Sequence, residues 1–269
     1  MIDLNISSVA LVPENPTFNT AHDPLKVYCN DGSFYIIKSN HTNDYFFDYG
    51  YFNEFISTFL LNLWEIKTPE ISVVNLDTDF LSNLGLENKY QPQYFGKPCF
   101  GSKFVKNPED FLYTSFNSVP TLPRYYSNLI DFLKIGLFDL WACNTDRSPN
   151  HSNLLIGNSN CKEIYAIDHY NCFNGEHYKK LISSHQLCKS KSILNTVLLK
   201  KIFKKHEHFD FENYFKTSIK ACEDNFDDIL STIRDKTGFS IDSKLKLVNF
   251  LFNDKRNSTI IAHFFEFLK

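Results

Sequence analysis

Several features that would place this chain of 269 residues in a specialised class are missing. Its seven cysteines form an odd set with no Cys-x-x-Cys pair and no close Cys/His spacing, which argues against a disulfide framework and a zinc site. A formal net charge of −3 provides no overall positive field for a nucleic-acid backbone, and no helix-turn-helix pattern is present. We therefore expect reduced, mostly buried thiols and no direct nucleic-acid binding.

Long hydrophobic runs are also missing. Residues 1–6 lack the basic start and apolar core of a signal peptide, and polar residues interrupt every apolar stretch before about 18 residues, the length of a membrane-spanning helix. We expect a soluble, cytoplasmic protein with no membrane association. With 43% apolar and 22% charged residues, the chain can bury one or two cores.

The first hundred residues are rich in strand patterns. Residues 25–38 contain two apolar runs around the turn Asn30-Asp31-Gly32, and Asp-Gly between such runs predicts a β-hairpin. Residues 51–64 have apolar side chains at helical spacing, which predicts a helix with one buried face. The segment 71–76 is short and rich in β-branched residues, which predicts another strand.

The rest of the chain is mostly helical in pattern. Residues 128–143 are apolar almost all round, which predicts a helix buried at the centre of a domain. Residues 153–167 read as a second, shorter hairpin with a turn at Gly157-Asn158. Four further helices are predicted near 191–205, 211–235, 242–253 and 257–268. The fold class is α+β, with a mostly β part at 1–105 and a mostly α part at 106–269.

A polar loop follows the central helix and leads straight into an apolar strand. Residues 144–153 combine an aspartate, an arginine, a histidine and several asparagines, and such groups between buried elements are costly unless they bind something. The alternative is a hydrogen-bonded turn in which Asp146 and Asn150 cap backbone amides. Asp168 ends the second strand of the hairpin, so Asp146, Asn153 and Asp168 would meet at one end of it. That arrangement outlines a magnesium site.

Phosphoryl transfer needs a cation on the phosphates, oxygen ligands for magnesium and a carboxylate beside the attacking hydroxyl. Lys38 ends a predicted strand, from which its ammonium group could reach phosphates, and Glu54 lies on the next helix, where it could hold that lysine. Taken alone, Lys38 is more often a solvated strand end, and Glu54 is more often an acid that favours a helix N-terminus.

At these residues the sequence resembles a known family. Three short strings are similar to the catalytic segment of HipA-like kinases. They are Asn-Thr-Asp-Arg in the loop, the Asn-Leu-Leu that follows it, and the later Ile-Asp-His. Residues 31–38, with Asn53-Glu54, resemble the lysine strand and αC helix of that family, and residues 101–105 resemble the segment before its interlobe hinge. The resemblance covers roughly residues 20–175 in the expected order.

The resemblance implies a nucleotide site. Lys38 would pair with ATP phosphates and Glu54 with Lys38, and Phe104 and Val105 would lie near the bound nucleotide at the hinge. Residues 16–24 would have to cover the phosphates. They contain no glycine, so we expect backbone amides from Thr20 to His22 to make that contact.

The resemblance also implies catalytic and metal-binding roles. Asp146 would be the catalytic carboxylate, with Arg147 steadying the loop or the phosphates. Asn153 and Asp168 would hold Mg²⁺. Because Asn153 stands seven positions after Asp146, farther than the spacing in protein kinases, Asn150 competes with Asn153 for the metal position.

The implied protein is an ATP- and magnesium-dependent kinase with a two-lobed, protein-kinase-like fold that phosphorylates Ser or Thr of a protein. Toxin members of the family suggest a toxin–antitoxin role, with an antitoxin or regulatory chain as partner. A small-molecule or lipid kinase is one alternative, for which the basic cluster 200–205 is the relevant surface. A nucleotide-binding pseudokinase that acts as an interaction module is the other.

Overall fold

The computed structural model of the protein describes residues 4–13, 17, 24–39, 49–106, 109–110, 128–144, 146–157, 162–174, 192–238 and 244–269. The strands in these ranges are β1 Asn5–Leu11, β2 Leu25–Cys29, β3 Phe34–Lys38, β4 Ile71–Asn75, β5 Cys99–Lys103, β6 Glu109–Asp110, β7 Leu154–Ile156 and β8 Ile164–Ala166. The α-helices are α1 Tyr49–Leu63, α2 Asp79–Asn83, α3 Pro92–Phe95, α4 Ile130–Ala142, α5 Val197–Lys205, α6 Phe211–Thr237, α7 Lys244–Leu251 and α8 Asp254–Leu268. This content confirms the predicted α+β class.

Five strands close into a barrel in the order β1-β2-β3-β5-β4. The predicted hairpin is confirmed: β2 and β3 are antiparallel, and Gly32 in their turn has a φ of 80°, a conformation that favours glycine. Alternate side chains of β3 face opposite sides, so Tyr35 and Ile37 fill the barrel core. Lys38 therefore lies on the outer face.

Helix α1 lies between the barrel and the helices of the second half of the chain. The Phe55 ring packs edge-on against Phe100 of β5, with centroids 5.0 Å apart. Just beyond the C-terminal end of α1, the centroid of Trp64 is 5.2 Å from that of Trp141 in α4. One continuous apolar cluster thus joins the outer face of the sheet, α1 and the helical part.

Helix α4 has every residue buried, as the apolar pattern of 128–143 predicted. It ends at Cys143, whose φ of 51° turns the chain out of the helix and into the polar loop. The second predicted hairpin is also confirmed, since β7 and β8 pair in antiparallel register with Leu154 opposite Ala166. The loop and the hairpin are therefore fixed directly against the buried centre.

The four predicted C-terminal helices are present as α5 to α8, with shifted ends. The side chains of Thr196, Asp210 and Asn253 accept backbone N–H bonds at the N-termini of α5, α6 and α8. The Trp141 indole N–H donates to the carbonyl of Leu251 at 2.9 Å, which ties α4 to α7.

Five elements were not predicted: the strands β1, β5 and β6 and the helices α2 and α3. Strand β1 pairs in parallel with β4 and in antiparallel register with β2, and so completes the barrel. Within the part of the chain that the structure describes, no helix has the length and apolarity needed to cross a bilayer.

Candidate functional site

Lys38 is the point at which three separated parts of the chain meet. Its Nζ donates to Oε1 of Glu54 at 2.5 Å and to Oδ1 of Asp168 at 2.8 Å. The Glu54 side chain is 2% exposed, against 17% for Lys38 and 32% for Asp168, so the group opens toward solvent on the Asp168 side. Burial alone lowers the pKa of Lys38, but the attraction of the two carboxylates outweighs it and holds the pKa above its ordinary value. Lys38 is a cation at neutral pH.

Glu54 also fixes the backbone beside Asp168. Its second oxygen, Oε2, accepts a hydrogen bond of 2.9 Å from the N–H of His169. One buried carboxylate thus holds both the ammonium group of Lys38 and the residue that follows Asp168. The sequence placed Glu54 on a helix beside Lys38 but gave no sign of this second contact.

The polar loop is ordered by its own side chains. The amide oxygen of Asn144 accepts the N–H of Asp146 at 3.2 Å. The Asn153 Nδ2 donates to Oδ2 of Asp146 at 3.2 Å. Asn150 is exposed at the turn between them. Of the two rivals for the metal position, Asn153 is the one whose amide contacts the Asp146 carboxylate.

Arg147 is buried beneath the loop. It forms an ion pair with Asp139 of α4, donates to the carbonyl of Ile167 at 2.9 Å, and has its Nη2 3.3 Å from Nδ1 of His169. Burial and the guanidinium hold the pKa of His169 well below its ordinary value, so the ring is neutral and Nδ1 can accept from Arg147. Burial also raises the pKa of Asp139 to about 6, although Arg147 and Asn144 act to lower it. These contacts place Arg147 against the loop and the hairpin end.

Asn153 and Asp168 lie at the same end of the second hairpin. The N–H of Ile167 donates to the carbonyl of Asn153 at 3.0 Å, which carries the β7–β8 pairing one step farther. Both residues have positive φ, 47° for Asn153 and 56° for Asp168. Left-handed backbone outside glycine costs on the order of 1–3 kcal/mol and collects at functional sites. The contacts around this hairpin end hold both in that conformation.

The remaining predicted residues concern the nucleotide. The N–H of Phe104 donates to the carbonyl of Phe34 at 2.7 Å, at the end of β3 opposite to Lys38. The ammonium of Lys26 lies over the Phe104 ring, 3.7 Å from its centroid. Val105 follows and is partly exposed. Thr20 lies outside the described residues.

No role was predicted from the sequence for several residues of this network. Asp139, His169 and Asn53 are buried polar side chains that bind site residues or the adjoining backbone. Asp139 and Asn53 each interrupt an apolar helical run, and a polar residue on a buried helix is the signal that could have marked them.

The donor set suits a nucleotide and a hard cation. Among the described residues no three His, Cys, Asp or Glu side chains gather to hold a metal ion. Asp168 and Asn153 instead offer a carboxylate and an amide oxygen, and Mg²⁺ typically takes one or two protein carboxylates together with phosphate oxygens and water. Lys38 supplies the charge for a phosphate. Phosphoryl transfer is the chemistry that this combination favours.

Comparison with known proteins agrees with this chemistry. A solved structure, the crystal structure of CtkA, a proinflammatory kinase of Helicobacter pylori, is similar with a TM-score of 0.55 at 14% identity, and the match covers 98% of each chain. At that identity the likeness shows the fold alone. No curated protein matches the sequence. Residues 17–257 match the HipA-like kinase family, which extends the predicted resemblance over most of the chain. The chain therefore belongs to the HipA-like kinases, a family of phosphotransferases.

Proposed function

We propose that this chain is an ATP- and magnesium-dependent kinase that phosphorylates a Ser or Thr hydroxyl of a protein, as the toxin of a toxin–antitoxin pair. The observation that carries the proposal is the meeting of Lys38, Glu54 and Asp168, from β3, α1 and the end of the second hairpin. Buried ion pairs contribute little net stability, so a mostly buried lysine between two carboxylates is better explained by a ligand that it serves.

Lys38 is proposed to bind the phosphates of the nucleotide. Its ammonium group is already oriented by Glu54, so it loses little side-chain freedom when a phosphate arrives. Asp168 is its more exposed partner, with a side chain 32% exposed against 2% for Glu54. Asp168 can therefore turn from Lys38 to a metal ion while Glu54 keeps the lysine in place.

Asp168 and Asn153 are proposed to hold magnesium, with Asn150 as the rival of Asn153. When bound, the ion would neutralise charge on the transferring phosphoryl group. Asp146 is proposed to orient the substrate hydroxyl and take its proton. The amide of Asn153 holds Oδ2 of Asp146 at 3.2 Å, which leaves Oδ1 as the proposed proton acceptor.

The nucleotide is proposed to extend along the outer face of the sheet from Lys38 to Phe104 and Val105. Phe104 bonds to Phe34, four strand positions from Lys38, a distance of about 13 Å at roughly 3.3 Å per residue. That length suits a nucleoside triphosphate. The corresponding two-lobed arrangement has residues 1–105 as the nucleotide-covering lobe and 106–269 as the catalytic lobe, with Thr20 in the phosphate-covering segment.

The proposal is tested by incubating the protein with ATP and Mg²⁺ and measuring phosphate transfer by intact mass and by label from radioactive ATP. Asp146→Asn and Asp168→Asn should each abolish transfer and leave the thermal midpoint nearly unchanged, because both side chains are partly exposed. Chelation of the metal should have the same effect as either substitution.

Asp235→Asn is the matched control, since Asp235 is exposed on α6, where it pairs with its neighbour Arg234. It should transfer phosphate at the wild-type rate. Undiminished transfer by both site variants would refute the assignment. Label in lipids or sugars alone would refute the protein substrate, and a wild type that binds ATP without transferring phosphate would indicate a pseudokinase.

A further inference from the structure

One face of α1 carries small and polar residues in a helix that is mostly apolar. Gly50, Asn53 and Glu54 follow the spacing i, i+3, i+4, which puts them side by side on that face, and all three are buried. Each contacts the stretch from Asp168 to Cys172. We call these three residues the α1 seat.

Asn53 holds the backbone of that stretch. Its side chain is 0% exposed, and its Nδ2 donates to the carbonyls of Tyr170 and Cys172, both at 2.8 Å. A side-chain amide has two N–H donors, and both are used here. The backbone carbonyls of Tyr170 and Cys172 are thus both held by the side-chain nitrogen of Asn53 on α1.

Gly50 receives the ring of Tyr170. A Cβ built on Gly50 would lie 2.0 Å from Cε2 and 2.2 Å from Cζ of that ring, distances that real atoms do not adopt. The ring thus packs against the bare backbone of α1. Any larger residue at position 50 would have to displace the Tyr170 ring from the helix.

Glu54 completes the seat. It binds Lys38 through one oxygen and the N–H of His169 through the other. Together the seat contacts residues 169, 170 and 172, immediately after Asp168, whose φ of 56° needs external support. The helix that orients the lysine is therefore also the helix that holds the backbone beside Asp168.

We propose that Gly50 and Asn53 are positioning residues for the transfer reaction, because they lock the stretch 168–172 onto α1 and so set Asp168 relative to Lys38. This inference rests on the proposed kinase function. It goes beyond the Lys38–Glu54 pair, because it makes the register between α1 and the hairpin end a determinant of catalysis.

The test compares Gly50→Ala, Tyr170→Ala, their double variant and Asn53→Leu with the wild type. Gly50→Ala and Asn53→Leu should each lower the rate of phosphate transfer by on the order of a hundredfold, the loss that a misplacement of about 1 Å causes. Both should raise the magnesium concentration needed for half-maximal rate. The double variant should transfer faster than Gly50→Ala, because removing the ring removes the clash.

A readout independent of activity is amide hydrogen exchange of residues 168–172, followed by mass spectrometry. Exchange there should quicken in Gly50→Ala and Asn53→Leu, and ATP should bind more weakly in the presence of Mg²⁺ by calorimetry. Asn62→Leu is the matched control, since Asn62 lies on the same helix and is exposed. It should change none of these quantities.

The outcomes separate the two proposals. An active wild type with fully active Gly50→Ala and Asn53→Leu would overturn the inference alone. Equal loss in Gly50→Ala and in the double variant would overturn it as well, since the defect would then be independent of the ring. A wild type without magnesium-dependent transfer would overturn the proposed function and this inference with it. The glycine variant keeps the test decisive if Asn53→Leu does not fold.

Discussion

Replacing Arg147 with methionine removes the cation that Asp139 faces inside the protein. Both side chains are almost fully buried, 0% and 5% exposed, so water cannot replace the lost partner. The same change removes the donor to the carbonyl of Ile167 and the contact to His169. Methionine is chosen because its length and apolar character approximate the arginine stem.

The expected loss of stability is large. Removing one member of a buried ion pair costs about 3–5 kcal/mol, because the other charge stays buried without compensation. A buried carbonyl that loses its donor costs about 1–3 kcal/mol more. We expect Arg147→Met to lower the free energy of unfolding by ~4 kcal/mol or more, a large share of the 5–15 kcal/mol typical of a folded domain.

Urea denaturation followed by tryptophan fluorescence measures this loss. The chain has two tryptophans, and both Trp64 and Trp141 are buried near the centre, Trp141 in the same helix as Asp139. Arg234→Met is the control. The Arg234 side chain is 58% exposed and, among the described residues, forms an ion pair with Asp235, which is also exposed. Its effect should stay within about 0.5 kcal/mol.

The double variant Asp139→Leu with Arg147→Met sharpens the test. It leaves no unpaired charge, so its loss should fall short of the sum of the single losses by at least ~2 kcal/mol. Phosphate transfer should not recover with stability, because the Ile167 carbonyl beside Asp168 still lacks its donor. Additive losses, or a loss below about 1 kcal/mol in Arg147→Met, would refute the reasoning.

Two further predictions concern single residues. Lys38→Met should abolish magnesium-dependent ATP binding by calorimetry and destabilise the fold, because buried Glu54 loses its cation; affinity equal to wild type would contradict the phosphate role. Burial raises the pKa of Asp131 to about 6 in the folded protein, above its value in the unfolded chain. The folded protein therefore holds this proton more tightly, and the stability that the protonated carboxyl gives below about pH 4 is lost as the pH rises through 6. Between pH 4 and pH 6, the free energy of unfolding of Asp131→Asn should therefore rise relative to that of the wild type by ~1–3 kcal/mol, as measured by urea denaturation. A difference in stability that does not change with pH would contradict this account.

The parts of the fold that depend on local sequence were predictable. Asp31-Gly32 determines a hairpin because only a few residues take the backbone angles of its turn. The apolar residues of 128–143 leave a helix no polar face to present to water, so burial of α4 follows from the pattern itself.

Strand β1 was missed because its pattern carries little information. Only Ser7 and Val9 of its seven residues are buried, and Ile6 and Leu11 are exposed by more than half, so the alternation of a half-buried strand is weak. Its parallel partner β4 lies more than sixty positions away in the chain. Pairing over such a separation depends on the folded barrel.

The candidate site was predictable in its charged residues and unpredictable in its supports. Lys38, Glu54 and Asp168 stand in the order that a kinase resemblance implies, and the structure places them in contact. Asn53 and Asp139 are single polar residues within apolar helices. Their partners are backbone carbonyls and a buried guanidinium, which become neighbours only once α1, α4 and the second hairpin have packed together.

The closed barrel has a practical consequence. The family match begins at residue 17, whereas β1, which joins β2 to β4, ends at Leu11. A protein cut back to the matched region would expose the free backbone edges of β2 and β4, and such edges recruit strands from other chains. Aggregation of the shortened protein would then reflect an opened sheet, and a loss of its activity should not be taken as evidence about catalysis.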